Sequence, residues 1–272
     1  MKNLVQKHYG VGDLAAKIAA ALRSAGKDPA RLTTADLASI DEFHIRGRQA
    51  TLELAQRMEI GTGARVLDIG SGLGGPARTL AEVYGCRVTG IDLSPELCCT
   101  AQALSRWVGL SDQVSFSQGD AMALTCEPGT FDAAMTLHVA MNIAAKDVIY
   151  AGVHRALKAG RIFAIYDILQ GEGGEVNYPV PWARDPAISH LATPEEMRTL
   201  LQGAGFRILD EIDSTEQSEA WFKHAAAQMA ASDRPPVGLR QFMGGDAAEM
   251  TRNQVRNLVE RRIRTVTFIC RS

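Results

Sequence analysis

Apolar residues recur with two different periods along this chain, and the change between them divides it. From Asp13 to Ser24, Leu14, Ile18 and Leu22 fall four apart behind an acidic start, the spacing of one helix face, and Lys27-Asp28-Pro29 ends the element. A second helix is predicted from about Arg48 to Met58, with Leu52, Leu54 and Ala55 among its apolar positions, broken by Gly61-Thr62-Gly63. Beyond it, short β-rich apolar runs alternate with helix-length segments: runs at 65–70, 87–92, 114–117, 131–137 and 161–169, helices at 74–84, 95–108 and 148–157. Such alternation indicates βαβ units and a parallel sheet covered on both faces. The predicted fold class is therefore α/β and doubly wound, with a helical N-terminal extension over 1–60 and a Rossmann-like domain over 61–272.

Later stretches depart from this alternation. Residues 171–193 open on glycine, proline and aromatics (GEGGEVNYPVPWARDP), which suits an ordered loop over a site and is read as a lid. Thr193-Pro194-Glu195-Glu196 is a helix start, with Thr193 as N-cap and acids facing the macrodipole. That helix stops at Gly203-Ala204-Gly205, and 206–210 reads as a strand. The rest reads as helical, broken at Arg234-Pro235-Pro236, before a closing strand at 265–270; about 215–262 is taken as a second lid insertion.

A chain of 272 residues accommodates one α/β domain with such elaborations. The formal charge of −2 and pI near 6.3 supply no positive field for nucleic acid or an anionic bilayer, which leaves a small molecule as the expected partner. Five cysteines without C-x-x-C spacing argue against disulfides and structural zinc, so no metal is expected. Without an apolar run of about 18 residues, the expectation is a cytoplasmic protein with no membrane partner.

The segment Val66-Leu67-Asp68-Ile69-Gly70-Ser71-Gly72-Leu73-Gly74-Gly75-Pro76 runs from a buried strand through a glycine turn into a helix. Gly70, Gly72 and Gly74 let backbone N–H groups approach a ligand with no Cβ in the way. Gly70, Gly72 and Gly75 also satisfy G-x-G-x-x-G, which alone does not separate a nicotinamide or flavin site from an adenosylmethionine site. Asp92, in Gly90-Ile91-Asp92, follows about twenty residues later, where a carboxylate accepts ribose hydroxyls of either cofactor. Asp68, ahead of the first glycine, would repel a pyrophosphate but suits the ammonium end of a methionine moiety, which favours adenosylmethionine. Asp120, in Gly119-Asp120-Ala121, is either a partner for an adenine amino group or a helix N-cap.

In order, VLDIGSGLGGPA, GIDLS, GDA, FDAAMTLHVAMNI, LKAGRIFAIYDIL and GAGF resemble the motifs of class I S-adenosylmethionine-dependent methyltransferases, over about Arg46 to Phe206. The resemblance is to the small-molecule branch that holds sarcosine/dimethylglycine and phosphoethanolamine N-methyltransferases and ubiquinone/tocopherol-type C-methyltransferases. It implies a seven-stranded sheet with the last strand antiparallel, S-adenosylmethionine as cofactor, and cofactor contacts from Asp68, Gly70, Gly72, Asp92, Leu93, Asp120 and Ala121. It also places Leu137 and His138 beside the methyl group. Arg46-Gly47-Arg48-Gln49-Ala50-Thr51 resembles the G-G-x-E-A-T of phosphoethanolamine enzymes, which implies a contact from Gly47 to the methionine end, although Arg46 replaces one glycine. The catalytic histidine that follows strand four in those enzymes aligns with Asn142, and His138 with an upstream aspartate, so phosphobase activity is not implied.

Methyl transfer from a sulfonium needs a base only when the acceptor arrives with a proton to lose. His138 is the first candidate, since an ordinary imidazole accepts a proton near neutrality; the alternative is packing over the cofactor. On a helix, His138 and Asn142 would share a face, with Asn142 on the acceptor. His44, in the polar run Asp41-Glu42-Phe43-His44-Ile45-Arg46-Gly47, is the second candidate for base or acceptor contact, against a surface turn. Tyr9, Tyr178 and Trp182 either line an acceptor pocket, where aromatics favour a cationic amine, or pack the lid. The basic tail of Arg252, Arg256, Arg261, Arg262 and Arg264 reads as a solvated helix face. The expected activity is methyl transfer to a small-molecule amine, with C- or O-methylation of a natural-product or quinone-like acceptor next. A nicotinamide oxidoreductase and an inactive cofactor-binding module are the alternatives from other classes. Thr136-Leu137-His138-Val139-Ala140 lacks the Asp/Asn-Pro-Pro-aromatic motif that holds a flipped base, which disfavours nucleic-acid methylation.

Overall fold

The chain was analysed as a computed structural model that describes residues 13–231, 237–238 and 245–272. Its strands β1 (Arg65–Ile69), β2 (Arg87–Asp92), β3 (Val114–Gln118), β4 (Phe131–Leu137), β5 (Leu157–Gln170), β6 (Arg207–Asp213) and β7 (Ile263–Arg271) form one sheet in the order β3-β2-β1-β4-β5-β7-β6. All pairs are parallel except those of β7, which runs antiparallel between β5 and β6. The sheet is doubly wound, seven-stranded, and closed by an antiparallel last strand, as the resemblance implied.

Alternation within each strand builds a core on both faces. Val66, Ala133, Met135, Ile162 and Ala164 pack on one side; Leu67, Ile69, Ala134, Phe163 and Ile165 pack on the other. Strands covered twice have no water-facing side, so their sequences read as continuous apolar runs. Order reverses at β1, with β2 on one side and β4 on the other. In open α/β sheets a ligand crevice lies outside the carboxyl ends at such a point.

Ahead of the sheet, the described residues form α1 (Leu14–Ser24), α2 (Thr34–Asp41) and α3 (Gly47–Ala55). The apolar pattern did not predict α2, which has eight residues and only Leu37 and Ile40 as buried aliphatics; its start is held by a Thr33/Asp36 capping box. Leu14, Ile18, Leu22, Leu37 and Ile40 share a cluster with Leu73 of the glycine turn and Leu104 of α5 (Pro95–Trp107), which fixes α1 and α2 to the turn. Helix α4 (Gly75–Tyr84) follows the turn, and α6 (Lys146–Ala156) leads into β5, which starts at Leu157 rather than Arg161.

Residues 171–193 carry a 3₁₀ turn at Pro186–Ile188 and precede α7 (Pro194–Gly203), whose capping box joins Thr193 and Glu196. Helices α8 (Thr215–Ala231) and α9 (Ala247–Val259) connect β6 to β7. The basic tail is largely paired: Arg256 and Arg262 with Glu260, Arg261 with Glu219, and Arg264 with Glu172 and Asp213. Tyr9 and Arg234-Pro235-Pro236 lie outside the described residues. Among those described, no helix is long and apolar enough to cross a membrane.

Candidate active site

The glycine turn takes its shape from what presses on it. Gly70 has φ +71°, a left-handed backbone that disfavours other residues, and a Cβ there would collide with Val139. A Cβ on Gly75 would collide with the Asp41 carbonyl and the Glu42 side chain. The turn is thus clasped between the loop after β4 and the end of α2. Beyond Gly72 nothing lies within 4 Å of a Cβ position, so open space begins there.

Acids flank that space. Asp68, at the carboxyl end of β1, is buried and its Oδ2 has no hydrogen-bond partner; the Ser71 hydroxyl is likewise buried and unpartnered. Burial, followed by the charges of Asp92 and Glu42, pushes the Asp68 carboxyl up to about 8. Asp92 accepts from the Gly72 N–H at 2.8 Å and from the Ser94 N–H at 2.9 Å. Burial raises it, and those two bonds work against the rise. Asp120 accepts from the Met122 N–H at 3.0 Å, capping the 3₁₀ turn Ala121–Ala123. Leu93 and Ala121 are half-buried beside these acids, and Leu137 is buried at the end of β4.

Just beyond the end of β4, two imidazoles and a phenol meet. The His138 ring lies 4.9 Å from Tyr166 of β5 and 5.9 Å from His44, and His44 lies 6.2 Å from Tyr166, centroid to centroid. His138 has φ +54°, uncommon for a residue other than glycine, and its N–H donates to the Tyr166 carbonyl at 2.8 Å. Its Nε2 is buried and unpartnered. Burial, then the neighbouring His44, holds it well below the usual imidazole range.

Asn142 does not share a helical face with His138. The left-handed residue ends β4, and the chain then enters a 3₁₀ turn, Ala140–Asn142. The Asn142 amide donates to the carbonyls of Trp182 and Ile188, each at 2.8 Å, so it ties the loop after β4 to segment 171–193. Trp182 is fully buried in a cluster shared with Ile45, Met141, Ile168, Phe222 and Leu258, and its indole N–H donates to Ser189 at 3.0 Å; Tyr178 packs half-buried against that cluster.

Pattern reading missed several buried groups. Arg78, wholly buried on α4, pairs with Asp41 at 2.7 Å. Glu42 accepts from the hydroxyls of Thr51 and of Thr79, the latter at 2.6 Å, and burial pushes its carboxyl up to about 7. Asp167 of β5 lies beneath the 138–142 loop, accepts from the Ile168 N–H at 2.9 Å, and is pushed by burial up to about 7. Lys146 donates to the Ile143 carbonyl at 2.7 Å and to that of His190, tying α6 to segment 171–193. The polar run 41–47 is the sequence signal for this region, and the Thr33/Asp36 capping box marks the start of the helix that leads into it.

Residues 66–160 match the methyltransferase domain family. The sterol 24-C-methyltransferase of Eremothecium gossypii is 31% identical over 172 residues, 61% of this chain and 46% of that protein, so the chain spans about half of this relative's length. The structure of the [4+2]-cyclase SpnF is 25% identical with a TM-score of 0.67, covering 97% of this chain and 96% of that one. Phosphoethanolamine N-methyltransferase 2 of Haemonchus contortus is 21% identical with a TM-score of 0.67, over 85% of this chain and 55% of that one, a likeness of fold. With its matched domain over 66–160, its sheet order and its acid-flanked glycine turn, the chain is similar to the class I S-adenosylmethionine-dependent methyltransferases.

Proposed function

We propose that this chain binds S-adenosylmethionine at the glycine turn and transfers its methyl group to a small molecule with an apolar body, at carbon in the first place. The observation that carries the cofactor half is the orphaned, buried Oδ2 of Asp68 beside open space at Gly72. A buried carboxyl without a partner is costly, and an ammonium brought to it supplies both charge and hydrogen bonds. Asp92, at the end of the adjacent strand, can turn its oxygens from backbone N–H groups to ribose hydroxyls, and Gly47, Gly70, Gly72, Gly74, Leu93, Asp120, Ala121 and Leu137 complete the contacts. When bound, the cofactor supplies an electrophilic methyl group on sulfur. The chain's own work is to position the acceptor in line with it, worth up to about 7–11 kcal/mol when the geometry is right.

For the acceptor, the supporting feature is the apolar cluster that begins beside the two imidazoles. Ile45 follows His44, Met141 lies in the loop after His138, and both pack with Ile168, Val180, Trp182 and Phe222. An apolar acceptor fits this wall better than a cationic amine, and the sterol-methylating relative points the same way. A second reading is favoured by the near-complete overlap with a cyclase: a fold that holds the cofactor and catalyses a reaction other than methyl transfer.

Calorimetry with S-adenosylmethionine, S-adenosylhomocysteine and NAD is the first test: the first two should bind and NAD should not. ¹³C-methyl-labelled cofactor is then offered with sterol and prenyl alkenes, phenols and amines. Label in an alkene carbon supports the proposal, and label in an amine returns the preference to nitrogen. Tight binding with no label transferred favours the second reading. Absence of cofactor binding overturns both.

A further inference from the structure

We propose that His44, through its Nδ1, takes the proton that the methylated acceptor gives up, with Glu42 and Thr51 fixing the ring for that task. The inference rests on the methyl-transfer reading and deepens it, by assigning the base to the N-terminal extension rather than to the strand-four histidine alone.

Hydrogen bonding determines which nitrogen is basic. His44 Nε2 lies 2.9 Å from the Gly47 carbonyl, which only accepts, so Nε2 carries the hydrogen. The Thr51 hydroxyl is 3.2 Å from the same nitrogen and gives its own hydrogen to Glu42, so toward His44 it too can only accept. Both contacts select the Nε2–H tautomer, leaving the lone pair on Nδ1, for which the described residues provide no partner. The ring is buried and stands edge-on to His138 and Tyr166, across from the residue that ends β4.

Behind the ring, Glu42 Oε2 lies 4.0 Å from Nε2 and is joined to it through Thr51. A carboxylate behind an imidazole holds the tautomer and stabilises the imidazolium that forms on protonation. Glu42 is held in turn by Thr79 of α4, so the base is anchored to the helix that carries the glycine turn. The charged and titratable groups that face His44 are Glu42, Arg46, His138 and Tyr166.

As the acceptor's π or lone pair forms its bond to the methyl carbon, the pair of the breaking bond stays on sulfur. The methylated acceptor then loses a proton to His44 Nδ1, and the electrons of that bond remain on the acceptor as a new π bond or lone pair. Burial, with Arg46 adding to it, pushes His44 down to about 4. So weak a base stays unprotonated at neutral pH but holds a proton far less tightly than an alkylamine of pKa about 10. The arrangement therefore suits the strongly acidic cation left by methylating an alkene, and not an ammonium.

The test uses the full chain labelled with ¹⁵N-histidine and saturated with S-adenosylhomocysteine, its His44 signals assigned by their loss in H44Q. Long-range ¹H–¹⁵N spectra should show the Nε2–H tautomer from pH 6 to 8. An Nδ1–H tautomer, or an imidazolium at pH 7, overturns the proposal. Glutamine at 44 keeps an N–H for Gly47 and lacks the basic nitrogen; S-adenosylhomocysteine affinity should stay within twofold. Turnover of the acceptor that takes up label should fall by about 10²-fold or more. Wild-type kcat should rise with pH through the Glu42 range, and E42Q should lose that rise while keeping the tautomer. Undiminished turnover in H44Q overturns the assignment. Failure of the cofactor to bind sinks the methyl-transfer reading instead, a result separate from the tautomer.

Discussion

Binding of S-adenosylhomocysteine at pH 7 is expected to expel close to one proton from Asp68. The carboxyl is raised from its ordinary 3.8 to about 8, chiefly by burial and then by the charges of Asp92 and Glu42. At pH 7 a group of pKa about 8 is protonated in about ten of eleven molecules, and an ammonium against Oδ2 favours the ionised form, so about 0.9 proton leaves per site. Affinity should accordingly rise about ninefold from pH 6 to pH 7, the ratio of 1 + 10² to 1 + 10. The same group makes the ligand-free fold lose stability as pH rises from about 4 to about 8, because the unfolded chain releases this proton first. Calorimetry in phosphate and in Tris, whose ionisation enthalpies differ, counts the protons. Asp68→Asn keeps the ligand's own ionisation and removes this carboxyl's, so the difference between the proteins isolates Asp68. Equal proton release from wild type and a folded Asn variant would falsify the claim that the orphaned carboxyl receives the ammonium.

Asp92→Ala should weaken S-adenosylhomocysteine binding at least tenfold, since a charged hydrogen-bonded contact is worth about 1.5–3 kcal/mol; unchanged calorimetric affinity in a folded variant removes Asp92 from the ribose site. Asp41→Asn leaves the guanidinium of Arg78 buried without its counter-charge and should cost about 3–5 kcal/mol in urea unfolding; a loss below about 1 kcal/mol shows that the pair contributes little. Asn142→Ala removes both ties to segment 171–193 and should speed proteolysis within it while leaving cofactor affinity within twofold; a segment equally resistant in both proteins refutes the tie.

The sheet is legible in the sequence because parallel strands covered on both faces are largely apolar, and β1, β4 and β5 announce themselves by that continuity. Asp68 and Asp92 are legible for a related reason: main-chain topology alone carries them to the carboxyl edge, whatever their side chains do. Helix α2 escapes because a short element has too few apolar positions to display a period, and only its capping box marks it. Glu42, Arg78, Tyr166 and Asp167 escape because their roles arise from contacts across the fold, which no local spacing encodes. The link between His138 and Asn142 fails for a backbone reason: fourfold spacing brings side chains together only on a continuous helix, and a left-handed residue at 138 precludes one. The third glycine makes the same point from the opposite side. As a pattern, Gly75 fits a dinucleotide turn as well as an adenosylmethionine turn. In the fold its missing Cβ makes room for Asp41 and Glu42, so the residue serves the docking of the N-terminal extension, and with it the placing of His44 opposite His138.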